Sequence, residues 1–336
     1  MTELDVLVSL NDHDRPQTVA DRAAEAEALG FSHVSVGETT GWNVVPPLSL
    51  VADRTTTIGL GTDVLSPYGR SPALLAQTAM TLQDASDGRF RLGIGPSSPA
   101  ITERWHGTDF DRPLRRVRET VEIIRTVFES GTPAYDGEIF EIDGLRYERD
   151  PPAETPQVDL ATLGPKATEL AGRFGDGWTP QLFTRDGLTR RLSDLARGAE
   201  LGDRSVDEIR VAPIVRGFAS DDRERARAET RKTIAFMLGA YGPYYGNSVA
   251  EQGYADVVSE IRDAWTADDI VGMAQGLPEA VLDELAPAGT PDEVREWIAD
   301  YASVDGVDAV RVGFVRGMTD EEKRTTMEAV ASALES

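Results

Sequence analysis

Cysteine is absent from this chain, which excludes disulfides, thiolate nucleophiles and Cys-ligated metals together. Lysine is scarce: only Lys166, Lys232 and Lys323 occur, and every other basic residue is arginine. Histidine is limited to His13, His33 and His106, too scattered to make a metal site, although His13 follows a strand end. No run reaches the ~18 apolar residues of a membrane span. The opening Met1-Thr2-Glu3-Leu4-Asp5 carries acids where a secretion signal carries bases. A cytoplasmic protein that acts neither in nor on a membrane is expected.

What the chain has in excess is negative charge. There are 34 Lys+Arg against 58 Asp+Glu, a net charge of −24. Nucleic acid is excluded as a partner, because phosphate binding needs a basic stripe. An acidic, lysine-poor surface suits a salt-adapted source, since the Debye length falls to about 3 Å at 1 M salt. With 336 residues, 40% of them hydrophobic, the chain can bury a large core.

Strand and helix patterns alternate. Strands are predicted over Leu4 to Leu10, His33 to Gly37, Thr57 to Asp63, Arg89 to Gly95, Gln157 to Thr162, Gly177 to Leu182, Ile209 to Gly217 and Asp308 to Phe314. Between the first two, Pro16 suits a first helical position, and Val19, Ala23, Ala26 and Leu29 share one face until Gly30. Eight strands separated by helices predict a single (β/α)8 TIM barrel over residues 1–336. The long gaps after strands four and seven predict insertions at about 97–155 and 219–300. The first holds a helix from Pro113 to Ser130 and a hairpin at Tyr135 to Phe140. The second holds helical segments around Asp221 to Leu238 and Val249 to Trp265, separated by the turn-rich Tyr241 to Asn247.

In such a barrel the site lies at the C-terminal ends of the strands. The sequence has no Walker A loop, no GxSxG elbow and no HExxH, so its own side chains offer little ready chemistry. Two backbone features stand in their place. Gly164-Pro165-Lys166-Ala167 opens a helix whose free N–H groups and positive dipole end suit a phosphate, and Lys166 adds a cation there. Gly93 and Gly95 remove side chains where a flat ring could approach the backbone. A ring with a phosphate tail describes a flavin-like cofactor, which would supply the missing redox chemistry.

Longer runs carry a family likeness. They are Ala52-Asp53-Arg54-Thr55, the stretch from Ile58 through Ser66-Pro67-Tyr68-Gly69-Arg70-Ser71-Pro72, and Asp87-Gly88-Arg89 through Gly95-Pro96. Gly164 to Gly172, Gly175-Asp176-Gly177-Trp178 and Ala288-Gly289-Thr290-Pro291 extend it along nearly the whole chain. The sequence resembles the luciferase-like superfamily, and within it the coenzyme F420 (deazaflavin) dependent oxidoreductases of the methylenetetrahydromethanopterin reductase type. The resemblance implies a bulge after strand three, often with a non-prolyl cis peptide, behind the cofactor ring. It maps to Asp63-Val64, next to Thr62. Cofactor contacts carry over to Gly95, Ser97 and Ser98, to Gly164, Pro165, Lys166 and Ala167, and to Trp178. Where relatives have an Asp-His pair this chain has Glu38-Thr39, so Glu38 is the candidate catalytic carboxylate. Ser98 stands where the sugar-phosphate dehydrogenases of the family have a catalytic Glu. Val6 to Ser9 lacks the strand-one acid of the pterin reductases.

The expected activity is hydride transfer between the deazaflavin and a small organic substrate, such as a methylene-pterin C1 carrier. An FMN-dependent luciferase-like monooxygenase is the alternative, and a non-catalytic cofactor-binding barrel the second one. The resemblance also implies a homodimer or higher homo-oligomer.

Overall fold

The computed structural model describes residues 2–334, apart from the side chain of Asp12. The first half alternates β1 (Glu3–Ser9), α1 (Pro16–Ala28), β2 (His33–Gly37), α2 (Val45–Arg54), β3 (Gly59–Thr62), α3 (Pro72–Ala85) and β4 (Phe90–Ile94). After α4 (Pro99–Arg104), α5 (Pro113–Ser130) and the small hairpin β5 (Tyr135–Asp136) and β6 (Glu141–Ile142), the alternation resumes. It continues with β7 (Gln157–Leu160), α6 (Pro165–Phe174), β8 (Gly177–Trp178), α7 (Arg185–Leu201), β9 (Arg210–Val211) and β10 (Ile214–Ala219). A helical insertion follows: α8 (Arg223–Ala240), α9 (Pro243–Val249), α10 (Ala255–Thr266), α11 (Ile270–Gln275) and α12 (Glu279–Leu285). The chain ends with β11 (Ala288–Gly289), α13 (Pro291–Ala302), β12 (Ala309–Phe314) and α14 (Asp320–Ala331).

Many helices start on a proline in the first turn, where its missing N–H costs nothing. Pro16, Pro72, Pro113, Pro165 and Pro291 all do so. Ser71 caps α3 by accepting from the Leu74 N–H at 3.2 Å, and Thr290 and Thr319 form capping boxes with Glu293 and Glu322. Helix α5 packs against both α3 and α6 and is the barrel helix between β4 and β7.

The strands are parallel in the order β1-β2-β3-β4-β7-β8, with β12 on the other side of β1. The predicted seventh strand is broken at Ala212-Pro213, because proline donates no ladder hydrogen bond. Its two halves still occupy one stave. Ala212 and Ile214 donate to Trp178 and Pro180 on one side, and Asp308 and Arg311 donate to Val211 and Pro213 on the other. These bonds close the ring, so the eight expected staves are present. The segment Tyr241 to Asn247 is more ordered than its turn-rich composition suggests: Gly242, at φ 80, turns the chain and Pro243 then starts α9.

Outward strand residues such as Val6, Val34, Leu60, Leu92, Leu160 and Val312 are fully buried against the helices in one apolar cluster. Each contributes about 1.5–3 kcal/mol relative to exposure. Leu182, Ile234, Leu238, Val249, Ile261 and Leu282 form a second cluster inside the helical insertion. The barrel interior differs from both, because it is filled by charge. Arg311 bonds Asp5 at 3.1 Å and Asp63 at 2.8 Å, Arg210 bonds Asp5 at 2.9 Å, and Arg91 bonds Asp159 at 2.5 Å.

Burial alone would raise the Asp5 carboxyl, but His33, Arg210 and Arg311 outweigh it and hold Asp5 far below the usual carboxylate range. Asp63 goes the other way. It shares the single cation of Arg311 with Asp5, and burial pushes its carboxyl up despite Arg311 and Arg216.

Removing the shared cation should therefore be costly. Arg311→Met is expected to lower unfolding free energy by about 3–5 kcal/mol, as for other buried pairs broken on one side, measured by denaturant titration. A loss below about 1 kcal/mol would show that the interior charges are not coupled to folding. The depressed Asp5 carboxyl contributes stability that is fully present above its unfolded pKa of about 3.9 and is lost as pH falls from there through its much lower folded value. Asp5→Asn should thus be less stable at neutral pH and show a shallower loss below about pH 4 than the parent chain.

Candidate functional site

The site begins where β3 ends. The Asp63–Val64 peptide is cis, and the chain bulges there before rejoining β4 through the Leu65 to Ile94 bridge. Glycines on both neighbouring strands receive this bulge. A Cβ at Gly37 would stand 2.6 Å from the Asp63 carbonyl oxygen, and one at Gly93 would stand 1.9 Å from that of Thr62. Thr62 spends its hydroxyl on the same junction, donating to the Gly93 carbonyl at 2.9 Å and accepting from the Gly93 N–H at 2.8 Å. At Gly95 a Cβ would meet a methyl of Val64 at 2.8 Å. The space beside Gly93 and Gly95 is therefore filled by the bulge itself. The flat ring expected beside Gly93 and Gly95 does not lie directly against these glycines.

Beyond β4 the chain turns sharply. Ser97 sits at φ 65, a left-handed conformation that is uncommon for non-glycine residues. Ser98 then caps α4, accepting from the Ile101 N–H at 3.4 Å.

On the neighbouring strand β7 the chain passes Gly164 into α6. No side chain caps that helix and its first turn carries no acid. The amides of Lys166 and Ala167 therefore head the helix unbonded by any cap, and a Cβ at Gly164 would meet open space. The Lys166 ammonium is turned elsewhere. It is 79% exposed and pairs with Glu169 at 2.7 Å, a carboxylate that Arg197 also contacts.

Trp178 is fully buried, its indole N–H donating to the Thr162 carbonyl at 3.2 Å and its ring edge-on to Phe183. It forms the wall behind β8. Just beyond it, Thr179 has a buried hydroxyl with no partner, as does Thr162 beside it. Gly177 faces the interior Asp159, so Thr179, two residues on, lies on the interior side at the strand end.

Glu38 follows β2. Its two oxygens accept from Arg70, the closest contact being 2.7 Å, and one also accepts from the Val44 N–H at 2.8 Å. The carboxylate is thus held by the segment after β3 and by the start of α2. Arg70 belongs to the Ser66 to Pro72 run that carries the family likeness, and the ion pair explains one of its residues.

Three rings from three segments line up at the same end of the barrel. Tyr68 stacks on Phe110 at 5.2 Å, Phe110 lies 6.1 Å from Tyr244, and the Arg116 guanidinium covers Tyr68 at 4.5 Å. These contacts tie both insertions to the segment after β3. Composition gave no hint of this grouping, because each ring comes from a different loop.

A cavity of about 620 Å³ opens at the opposite end, among Glu3, His33, Arg89, Arg91 and Glu154. It lies at the N-terminal ends of the strands, where barrel enzymes do not place chemistry. Glu3, Asp5 and His33 converge there with metal-like spacing. The Arg210 guanidinium already fills that position, bonding Glu3 at 2.7 Å and Asp5 at 2.9 Å.

Comparison with known proteins agrees with this geometry. The family model described as Luciferase-like monooxygenase matches residues 3–308. The chain is 31% identical over 291 residues to the 5,10-methylenetetrahydromethanopterin reductase of Archaeoglobus fulgidus, covering 86% of each protein. It is 28% identical over 302 residues to a putative coenzyme F420-dependent oxidoreductase of Mycobacterium tuberculosis, covering 84% of this chain and 87% of that one. The solved coenzyme F420 dependent tetrahydromethanopterin reductase of Methanopyrus kandleri shares its fold, with a TM-score of 0.79 at 22% identity over 99% of this chain and 98% of that one. Among the described residues no helix is long and apolar enough to cross a membrane. The chain belongs to the luciferase-like monooxygenase family.

Proposed function

We propose that this protein is a coenzyme F420-dependent oxidoreductase, and that its substrate is a small organic molecule of the methylene-pterin C1-carrier type. The observation that carries the reading is the glycine-wedged bulge at Asp63-Val64, set at the same barrel end as the uncapped α6. The names of the relatives support the choice of deazaflavin over FMN.

The residues present fit such a group. The amides of Lys166 and Ala167, at an uncapped helix start preceded by Gly164 and Pro165, offer donors and a positive dipole end for a phosphate. The unpartnered Thr179 hydroxyl offers a further buried polar contact. The Asp63-Val64 bulge would back the ring, with Thr62 and Gly95 fixing its position and Ser97, Ser98 and Trp178 bordering it. When bound, the deazaflavin supplies a carbon that accepts or donates hydride.

The protein's share is positioning and water exclusion. The bulge is locked by hydrogen bonds on both sides, because Asp63 N–H donates to the Val36 carbonyl at 2.8 Å and Leu65 N–H to that of Gly93 at 2.9 Å. A surface held this firmly fixes one reactant, which is the larger part of bringing two carbons together. The Tyr68, Phe110 and Tyr244 rings flank the mouth and limit solvent. Glu38, with Arg70 and the Val44 amide on its oxygens, holds the segments after β2 and β3 in register, and we assign it a positioning role.

Titration of the purified chain with F420 and with FMN, followed by their distinct absorbances, tests the cofactor. F420 should bind at least about tenfold tighter, a difference of about 1.4 kcal/mol. Tighter binding of FMN would favour the monooxygenase reading. Gly164→Asp tests the phosphate end. An aspartate is a good helix cap, so thermal stability should hold or rise, while F420 affinity should drop about tenfold or more from charge repulsion. Unchanged affinity would move the phosphate elsewhere.

Glu38→Gln is expected to cost about 1–3 kcal/mol of stability by leaving Arg70 without its carboxylate, and to lower turnover without moving the pH-rate profile. A shifted profile would return Glu38 to proton handling.

A further inference from the structure

One of the cations inside the barrel forms no ion pair. The deeply buried carboxylates are Asp5, Asp63 and Asp159, and Arg91, Arg210 and Arg311 pair with them. Arg216 is a fourth interior guanidinium. It lies beside Gly313 in the β10–β12 register, one inward position above Arg311 towards the mouth, and a Cβ at Gly313 would stand 2.8 Å from its Nη1. Among the described residues no carboxylate comes within ion-pair distance of it. Arg216 is half-buried, and its charge acts on the buried Asp63 without the two side chains forming an ion pair.

The surroundings of Arg216 hold it in place without neutralising it. Gln181 follows β8 and forms a bridge with Ile214. With its amide oxygen turned to Arg216, it accepts from Nε and Nη2 at 3.0 Å each, while its NH2 donates to the Tyr245 hydroxyl at 3.1 Å. That uses one edge of the guanidinium and leaves Nη1 without a protein acceptor. It also leaves the Tyr245 hydrogen free to donate, and burial pushes this phenol up to about 12, so it stays protonated at neutral pH. Leu182, at φ 60 and fully buried in the insertion's apolar cluster, anchors the turn that aims Gln181 inward. Two donors on one amide, one of them charged, are arranged for a group with at least two acceptor oxygens and a negative charge.

We propose that Arg216 and Tyr245, set by Gln181, bind a carboxylate of the substrate. The proposal rests on the oxidoreductase reading for the word substrate, and not for the anion site itself. It makes Arg216 and Tyr245 specificity-determining residues. It predicts that neutral analogues of the true substrate are discriminated against at this point.

The test uses the chain without cofactor, with benzoate and benzamide as probes of matched size, followed by equilibrium dialysis or saturation-transfer NMR. The parent chain should bind benzoate at least about tenfold better than benzamide, as expected for one charge-assisted hydrogen-bonded pair. Arg216→Gln should remove the preference, Arg216→Lys should keep part of it, and Tyr245→Phe should weaken benzoate severalfold. Equal binding of the two probes by the parent chain, or an unchanged preference in Arg216→Gln, would overturn the proposal. Should Arg216→Gln unfold, Arg216→Lys and Tyr245→Phe still decide it, because both unchanged would mean no carboxylate subsite. F420 titration of the same variants separates the two readings. If the parent chain ignores F420 but keeps the benzoate preference, the cofactor assignment fails and the anion site stands. If F420 affinity falls in Arg216→Gln in step with benzoate, Arg216 serves the cofactor and the substrate assignment fails.

Discussion

The guanidinium of Arg311 joins strands that lie on different sides of the barrel. It bonds Asp5 on β1 and Asp63 after β3, and is itself on β12, with only 2% of its side chain exposed. A barrel whose interior is packed with Val, Ile and Leu has its strands held by shape. Here the staves converge on a cation instead. Charges in such a place cost a great deal to bury, and geometry has to repay that cost, so the residues around Arg311 have little freedom. Asp63 is one of them, and its backbone is half of the cis bulge. The interior ion pair and the candidate site are thus two ends of one residue. What holds the core together also sets the surface on which a ring would rest.

This dependence explains the glycines. A bulge pulled inward by its own Asp63 side chain presses its carbonyl groups against both neighbouring strands. Gly37 and Gly93 are the places where any Cβ would collide. Thr62 then replaces, with its hydroxyl, the ladder contact that the bulge interrupts. Four residues in or just after three strands therefore answer to one displacement of the chain. Such agreement across strands is what allows a cis bond between two ordinary residues to be a fixed feature of the fold.

Most strands and helices were legible from sequence because they follow simple periodicities and end signals. Pro113 to Ser130 emerges with the boundaries that its proline and the following glycine suggest. The break at Pro213 and the helix after Gly242 were harder, since both turn on whether proline starts or interrupts an element. The interior charges were missed for a different reason. Residues such as Arg91 between Phe90 and Leu92, or Arg311 between Val310 and Val312, read as the polar face of an alternating strand. Yet a parallel strand in a barrel has no solvent face, so a charge at every second position should itself have signalled an ionic interior. The candidate site was legible only through family likeness, because its chemistry resides in backbone amides, a bulge and glycines. Glu38 was placed by position alone, and the structure adds that its oxygens accept from Arg70 and the Val44 amide.

The surface and the interior of this barrel carry opposite problems. Outside, the chain is strongly acidic, and any anionic ligand approaching it meets a repulsive field that salt screens within about 8 Å at physiological ionic strength. Attraction for such a ligand must therefore be local, built where protein replaces water and mobile ions cannot follow. Helix α6 would do this with dipoles, which carry no net charge to offset. Arg216 would do it with a full cation, held in place by the neutral Gln181 amide. Lys166, exposed and paired with Glu169, does neither, although it is the cation that sequence position makes most conspicuous. In a chain with this charge balance, a cation matters to a ligand according to whether an acid has already claimed it. Arg216 is the guanidinium inside the barrel that forms no ion pair, although Asp63 lies within its field.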